Sequence, residues 1–170
     1  VEVSGSGLPF TIHGTGEVLG GELSIDASES SQFVSGLLLV AARFKNGLTL
    51  NHTGKTLPSM PHIDMTIDTL AKRGVKISKL SETSWRIEPG EISGRTVEIE
   101  PDLSNAGPFM AAALVAGGTV TIENWPRSTT QVGNDFVSLL TLMGGQVSRT
   151  GTRMSVTGTG ETNGIEIDLS

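Results

Sequence analysis

The alternation of apolar and polar positions writes one order of elements twice along the chain. Residues 21–26 alternate as a strand does, and an apolar run from Val34 to Phe44 follows. Apolar residues on nearly every side of that run predict a buried helix over 31–44. A strand over 47–52 comes next, then an amphipathic helix over 61–73 that buries Ile63, Ile67, Leu70 and Ala71. Pro61 suits the first turn of this helix, Asp64 and Asp68 lie toward its positive end, and Lys72 and Arg73 precede the stop at Gly74. Strands over 75–79 and 84–88 complete the unit. The second pass runs strand 96–100, all-round apolar helix 105–116, strand 118–123, amphipathic helix 131–143, and strands 146–149 and 153–157. Its amphipathic helix carries Val132, Phe136, Leu139, Leu140 and Met143 on one face and stops at Gly144-Gly145. Both passes read β-α-β-α-β-β, an α/β repeat offset by about 70 residues, and self-similarity at such a spacing marks a repeated structural unit. The helices over 31–44 and 105–116 are expected inside their respective domains. Leu8 to Ile12 is strand-like and Ile165 to Leu169 begins a further strand, so the chain enters in one repeat and leaves in another.

Composition narrows the class. With 170 residues, 36% of them hydrophobic, the chain can build one domain or two small ones. Its apolar runs are too short to span a bilayer, which argues against a membrane partner. Cysteine is absent, so there is no disulfide or thiolate metal site, and a reducing compartment is expected. A net charge of −6 without a basic run argues against nucleic acid. Two Trp, five Phe and no Tyr leave little for base stacking. The chain begins at Val1, with neither an initiator Met nor a signal peptide, and reads as an internal piece of something longer.

The chemistry concentrates where the first strand meets the first buried helix, at Asp26-Ala-Ser-Glu-Ser-Ser-Gln-Phe33. A helix start offers free backbone N–H groups and the positive end of the dipole, which suit an anion. Ser28, Ser30 and Ser31 can cap that helix or hold an anion, and Gln32 adds an amide beside them. Read alone, Ser59 before Pro61 is an ordinary helix start and His62 a solvated side chain. His13, His52 and His62 have no metal-ligand spacing. Asp102 with Asn105 is expected to cap the second buried helix, and Arg127 after Trp125-Pro126 is a loop charge.

The order Asp26…Ser30-Ser31-Gln32-Phe33, then Leu57-Pro-Ser59-Met-Pro61-His62-Ile63-Asp64, then Glu100-Pro-Asp102-Leu-Ser-Asn105-Ala106, resembles the 5-enolpyruvylshikimate-3-phosphate synthase family. The forms DASxSSQFVSGLLL and LPSxPHI are similar to its actinobacterial branch. The resemblance covers essentially the whole chain and the middle of a synthase roughly two and a half times longer. It implies two lobes of inverse α/β-barrel type, each built from three β-α-β-α-β-β units. Residues 1–98 would belong to the shikimate-phosphate-binding lobe and 99–170 to the second lobe, both incomplete. It also implies transfer of the enolpyruvyl group of phosphoenolpyruvate to the 5-hydroxyl of shikimate 3-phosphate, with release of phosphate and with no metal or organic cofactor. Ser30, Ser31 and Ser59 would hold shikimate 3-phosphate, and Gln32 would touch both substrates. His62 stands where many members place a Tyr against the shikimate ring.

The general acid/base and most cationic phosphate clamps of the family lie outside these residues, so no catalytic residue is expected here and the segment alone should be inactive. The parent enzyme is expected to be a cytoplasmic monomer. Two alternatives stay open at this point. One is the sister transferase acting on UDP-N-acetylglucosamine, which resembles the same repeats. The other is a non-catalytic repeat scaffold, since a fold does not dictate function.

Overall fold

Parallel pairing of β3 (Gly21–Ile25) with β4 (Leu48–His52) organises the first half of the chain. The computed structural model describes residues 2–168. It divides into one unit up to Thr96 and a second from Val97 onward. In the first unit a short antiparallel hairpin, β1 (Glu2–Ser4) with β2 (Thr11–His13), precedes the main sheet. That sheet has the order β3-β4-β6-β5, where β5 is Ile77–Ser81 and β6 is Ser84–Ile87. The two helices are α1 (Gln32–Ala41) and α2 (Met60–Ala71). Each follows a parallel strand and returns along the sheet, and right-handed crossovers in one direction put both on one face. The face they cover is the apolar phase of the strands. Leu48, Leu50 and His52 of β4 and Trp85 and Ile87 of β6 are buried against Val34, Leu38, Ala41, Ile63 and Leu70 of the helices.

In the second unit α3 (Leu103–Ala116) packs on a sheet ordered β7-β9-β8, built from Gly118–Ile122, Arg153–Gly158 and Gln146–Thr150 respectively. Its core gathers Leu103, Ala106, Met110, Leu114, Trp125, Leu140, Met154 and Val156. The Asp102 carboxylate caps α3 as expected, accepting from the Asn105 N–H at 3.0 Å.

Three expectations need correction. The alternating stretch 96–100 forms no strand; Ile99 is 83% exposed. Among the described residues nothing pairs with it, and a period-two pattern without a ladder partner does not hold a strand. The second unit therefore lacks the first strand of the repeat. The helix expected over 131–143 is a 3₁₀ turn, Val132–Asp135, leading into a short α4, Phe136–Leu142. The two apolar helices are also not enclosed all round within their units. α1 exposes Phe33, Leu39 and Val40, and α3 exposes Phe109 and Val115. A helix lying on a single sheet buries one stripe, and the rest of an all-round apolar helix needs a second layer.

Candidate functional site

Five candidate residues stand at the starts of two helices along one edge of the first unit. The register Ile25↔His52 ends β3 and β4 at the same level. The connections 26–31 and 53–59 therefore leave side by side from the C-terminal edge of the parallel pair, where ligands of open α/β sheets gather. Ser30, Ser31 and Gln32 stand at the start of α1, and Ser59 and His62 at the start of α2. The helices touch, and Thr66 Oγ1 of α2 lies 3.2 Å from Ser35 Oγ of α1. Ser35 is one turn beyond Ser31 and Thr66 one turn beyond His62, so these first turns are neighbours with both dipoles positive toward the same edge.

Each hydroxyl has a distinct job. Ser31 occupies the N-cap position, is 6% exposed, and makes no capping bond with its side chain. Ser30 supplies the local support instead, its Oγ accepting from the Gln32 N–H at 3.2 Å. A hydroxyl that accepts keeps its own proton to donate, so this bond leaves Ser30 able to bind an anion. Ser28 is committed elsewhere: its N–H donates to Asp26 Oδ1 at 2.9 Å. Hydrogen bonds from the Ser28 side chain and then from its N–H hold the Asp26 carboxyl below the usual carboxylate range, against the opposing effect of desolvation. Asp26 stays ionised and absorbs the Ser28 donors. Ser59 has φ 53 and ψ 49, a left-handed conformation uncommon for a residue with a Cβ. Such strain persists where the surroundings over-determine the backbone, often at functional sites. The Ser59 carbonyl accepts from the His62 N–H at 3.0 Å, and the His62 side chain is exposed.

Two further residues shape this edge and went unread in the sequence. His52 is 7% exposed beneath both connections and hydrogen-bonds to each. Gly54 passes so close to the 26–28 turn that a Cβ there would overlap Ser28 Oγ, Asp26 Oδ1 and the His52 ring. The signal for His52 was its phase: it continues the buried series Leu48, Leu50 at a place where an apolar residue is the norm. Lys55 adds a positive charge on the same connection. Among the described residues no group of three His, Asp or Glu side chains could hold a metal ion, and no helix is long and apolar enough to cross a membrane.

Comparison with known proteins covers essentially the whole chain. A family model described as EPSP synthase (3-phosphoshikimate 1-carboxyvinyltransferase) matches residues 1–170. The chain is 48% identical over 169 residues to the 3-phosphoshikimate 1-carboxyvinyltransferase of Tropheryma whipplei (strain TW08/27), covering 99% of this chain and 38% of that protein. Two solved structures of EPSP synthase from Acinetobacter baumannii share its fold. Their TM-scores are 0.64 and 0.65 at 19% identity, over 98% of this chain and 39% of theirs. The chain thus spans less than two-fifths of the length of these relatives.

Proposed function

Because the chain belongs to the EPSP synthase family, we propose that it is an internal segment of an enzyme that transfers the enolpyruvyl group of phosphoenolpyruvate to the 5-hydroxyl of shikimate 3-phosphate. In that reaction a new C–O bond joins the shikimate 5-oxygen to the enolpyruvyl carbon. The bond from that carbon to the phosphate oxygen breaks, inorganic phosphate leaves, and the 5-hydroxyl gives up its proton. The observation that carries the reading is the convergence of Ser30, Ser31, Gln32, Ser59 and His62 on one strand edge at the positive ends of two helices. Neutral hydroxyls and helix-terminal N–H groups bind phosphate oxygens, and a fixed orientation makes a two-substrate reaction resemble an intramolecular one.

In this reading Ser30, Ser31 and Ser59 hold the shikimate 3-phosphate, Gln32 spans both substrates, and His62 lies against the shikimate ring. Residues 1–98 form part of the shikimate-phosphate-binding lobe and 99–170 part of the second lobe. The exposed apolar faces of α1 and α3 support an incomplete assembly, since they lack a second layer here. The acid/base and the cationic clamps come from the rest of a cytoplasmic, monomeric enzyme. Phosphate release by the longer protein carrying this segment tests the reading. Turnover is expected with shikimate 3-phosphate and phosphoenolpyruvate and not with UDP-N-acetylglucosamine in place of the former. Turnover with the nucleotide sugar alone, or with neither acceptor, would overturn it.

A further inference from the structure

We propose that His52 is a positioning residue of the phosphate site, a neutral imidazole that clamps the two connections carrying the substrate hydroxyls. The proposal rests on the functional reading above. His52 ends β4 on the buried phase set by Leu48 and Leu50, so its ring lies under the strand edge and not in solvent. Nδ1 accepts from the Ala27 N–H at 3.1 Å, and Nε2 lies 3.1 Å from the Thr56 carbonyl oxygen. A backbone N–H only donates and a carbonyl only accepts, so Nδ1 is bare and Nε2 carries the proton. One ring therefore ties the 26–31 connection to the 53–59 connection.

The clamp leads directly to the proposed ligand groups. Ala27 is fully buried, and its carbonyl accepts from the Ser30 N–H at 3.2 Å. Ser30 Oγ in turn accepts from the Gln32 N–H at 3.2 Å. Three successive bonds thus run from the imidazole to the Ser30 hydroxyl that would meet the substrate and to the main-chain N–H of Gln32. On the other side, Thr56 lies three residues before Ser59, whose left-handed backbone starts α2. Gly54 leaves the room that the ring needs between the two connections.

Amide side chains can copy either half of the ring in the longer protein. Asn at 52 places an oxygen near the Nδ1 position and can keep the Ala27 bond. Gln places an N–H near the Nε2 position and can keep the Thr56 bond, while Phe keeps the ring volume and neither bond. The KM for shikimate 3-phosphate should rise about tenfold or more in His52→Phe with kcat within about twofold, the scale of one buried hydrogen-bonding group lost. His52→Asn should recover most of that loss and His52→Gln little of it, because the Ala27 arm is the one that reaches Ser30. An unchanged KM in a His52→Phe enzyme that melts early would overturn the proposal and make the ring core packing only. If the Phe variant does not fold, equal KM values for the Asn and Gln variants would overturn it equally. Wild-type enzyme that fails to bind shikimate 3-phosphate would instead refute the functional reading. The clamp would then stand or fall on hydrogen exchange at the Ala27 and Ser30 amides, slower in Asn than in Gln if the clamp is real and equal if it is not.

Discussion

Separate alanine changes at Ser30 and Ser31 should have different consequences, because the structure gives the two hydroxyls different neighbours. Ser31 sits at the N-cap position of α1 without capping through its side chain. Ser31→Ala in the full-length enzyme should therefore leave α1 almost as stable as before. Ser30 Oγ accepts from the Gln32 N–H, and losing that support should cost about 1 kcal/mol, the usual size of a lost helix-start bond. Binding should respond to both. A hydrogen bond to a charged group is worth roughly 1.5–3 kcal/mol, so each change should weaken shikimate 3-phosphate binding about tenfold to about a hundredfold. The assay is a titration of each variant with shikimate 3-phosphate beside a melting curve. The expected signature is Ser31→Ala with wild-type melting and weakened binding, and Ser30→Ala weakened in both. If Ser31→Ala binds like wild type, the buried hydroxyl does not face the phosphate and the proposed site loses its centre. If both variants melt early with unchanged binding, the serines serve the helix alone.

Gly54→Ala should destabilise the first unit by about 1–3 kcal/mol and raise the KM for shikimate 3-phosphate, because the added Cβ would push on Ser28, Asp26 and His52 together; wild-type melting would refute the packing. The Asp26 carboxyl is held below its ordinary range by Ser28, so its contribution is fully present above its unfolded value of about 3.9 and is lost as pH falls through the lower folded value. Acid unfolding of Asp26→Asn should accordingly lose part of the wild-type dependence on pH in that acid window, and superimposable acid curves would count against the Ser28 bonds. The isolated segment of 170 residues should show no enolpyruvyl transfer and should bind a hydrophobic dye through the exposed faces of α1 and α3; turnover above that of a mock preparation would sink the first half of this expectation.

The first unit was legible in the sequence wherever an element and its partner both lie within the chain. β3, α1, β4, α2, β5 and β6 all fall within three residues of the boundaries that periodicity and stop signals indicate. The misreadings share one cause, a local pattern whose partner is not local. Val97 and Ile99 alternate as a strand would, yet alternation names a face and not a neighbour. All-round apolarity in α1 and α3 signals two packing layers but not where the second comes from. The 131–143 stretch carries a helical stripe, but Gly133 approaches Leu103 so closely that a Cβ would overlap its backbone, and the chain enters α4 through a 3₁₀ turn. The position of the serine cluster at the start of α1 was readable because hydroxyl residues commonly stand before a helix. The His52 contact was not, because it is a hydrogen bond across 25 residues of sequence.

The two units solve one mechanical problem in different ways, and the difference bears on the anion site proposed for the first. In each, a side chain from later in the sequence pins the start of the first long helix. His52 accepts from the Ala27 N–H before α1. Gln131 accepts from the Leu103 N–H at 2.9 Å and donates to the Pro101 carbonyl at 3.0 Å and the Glu100 carboxylate at 2.8 Å. What stands at the helix start then diverges. α3 is capped by the Asp102 carboxylate, which also accepts from the Asn105 side chain at 2.9 Å. A fixed negative charge there satisfies the dipole and repels a second anion. α1 has neutral serines in the same place, and the nearby Asp26 turns its charge toward Ser28. Of these two equivalent helix starts, side-chain charge occupies the one at α3 and leaves the one at α1 open.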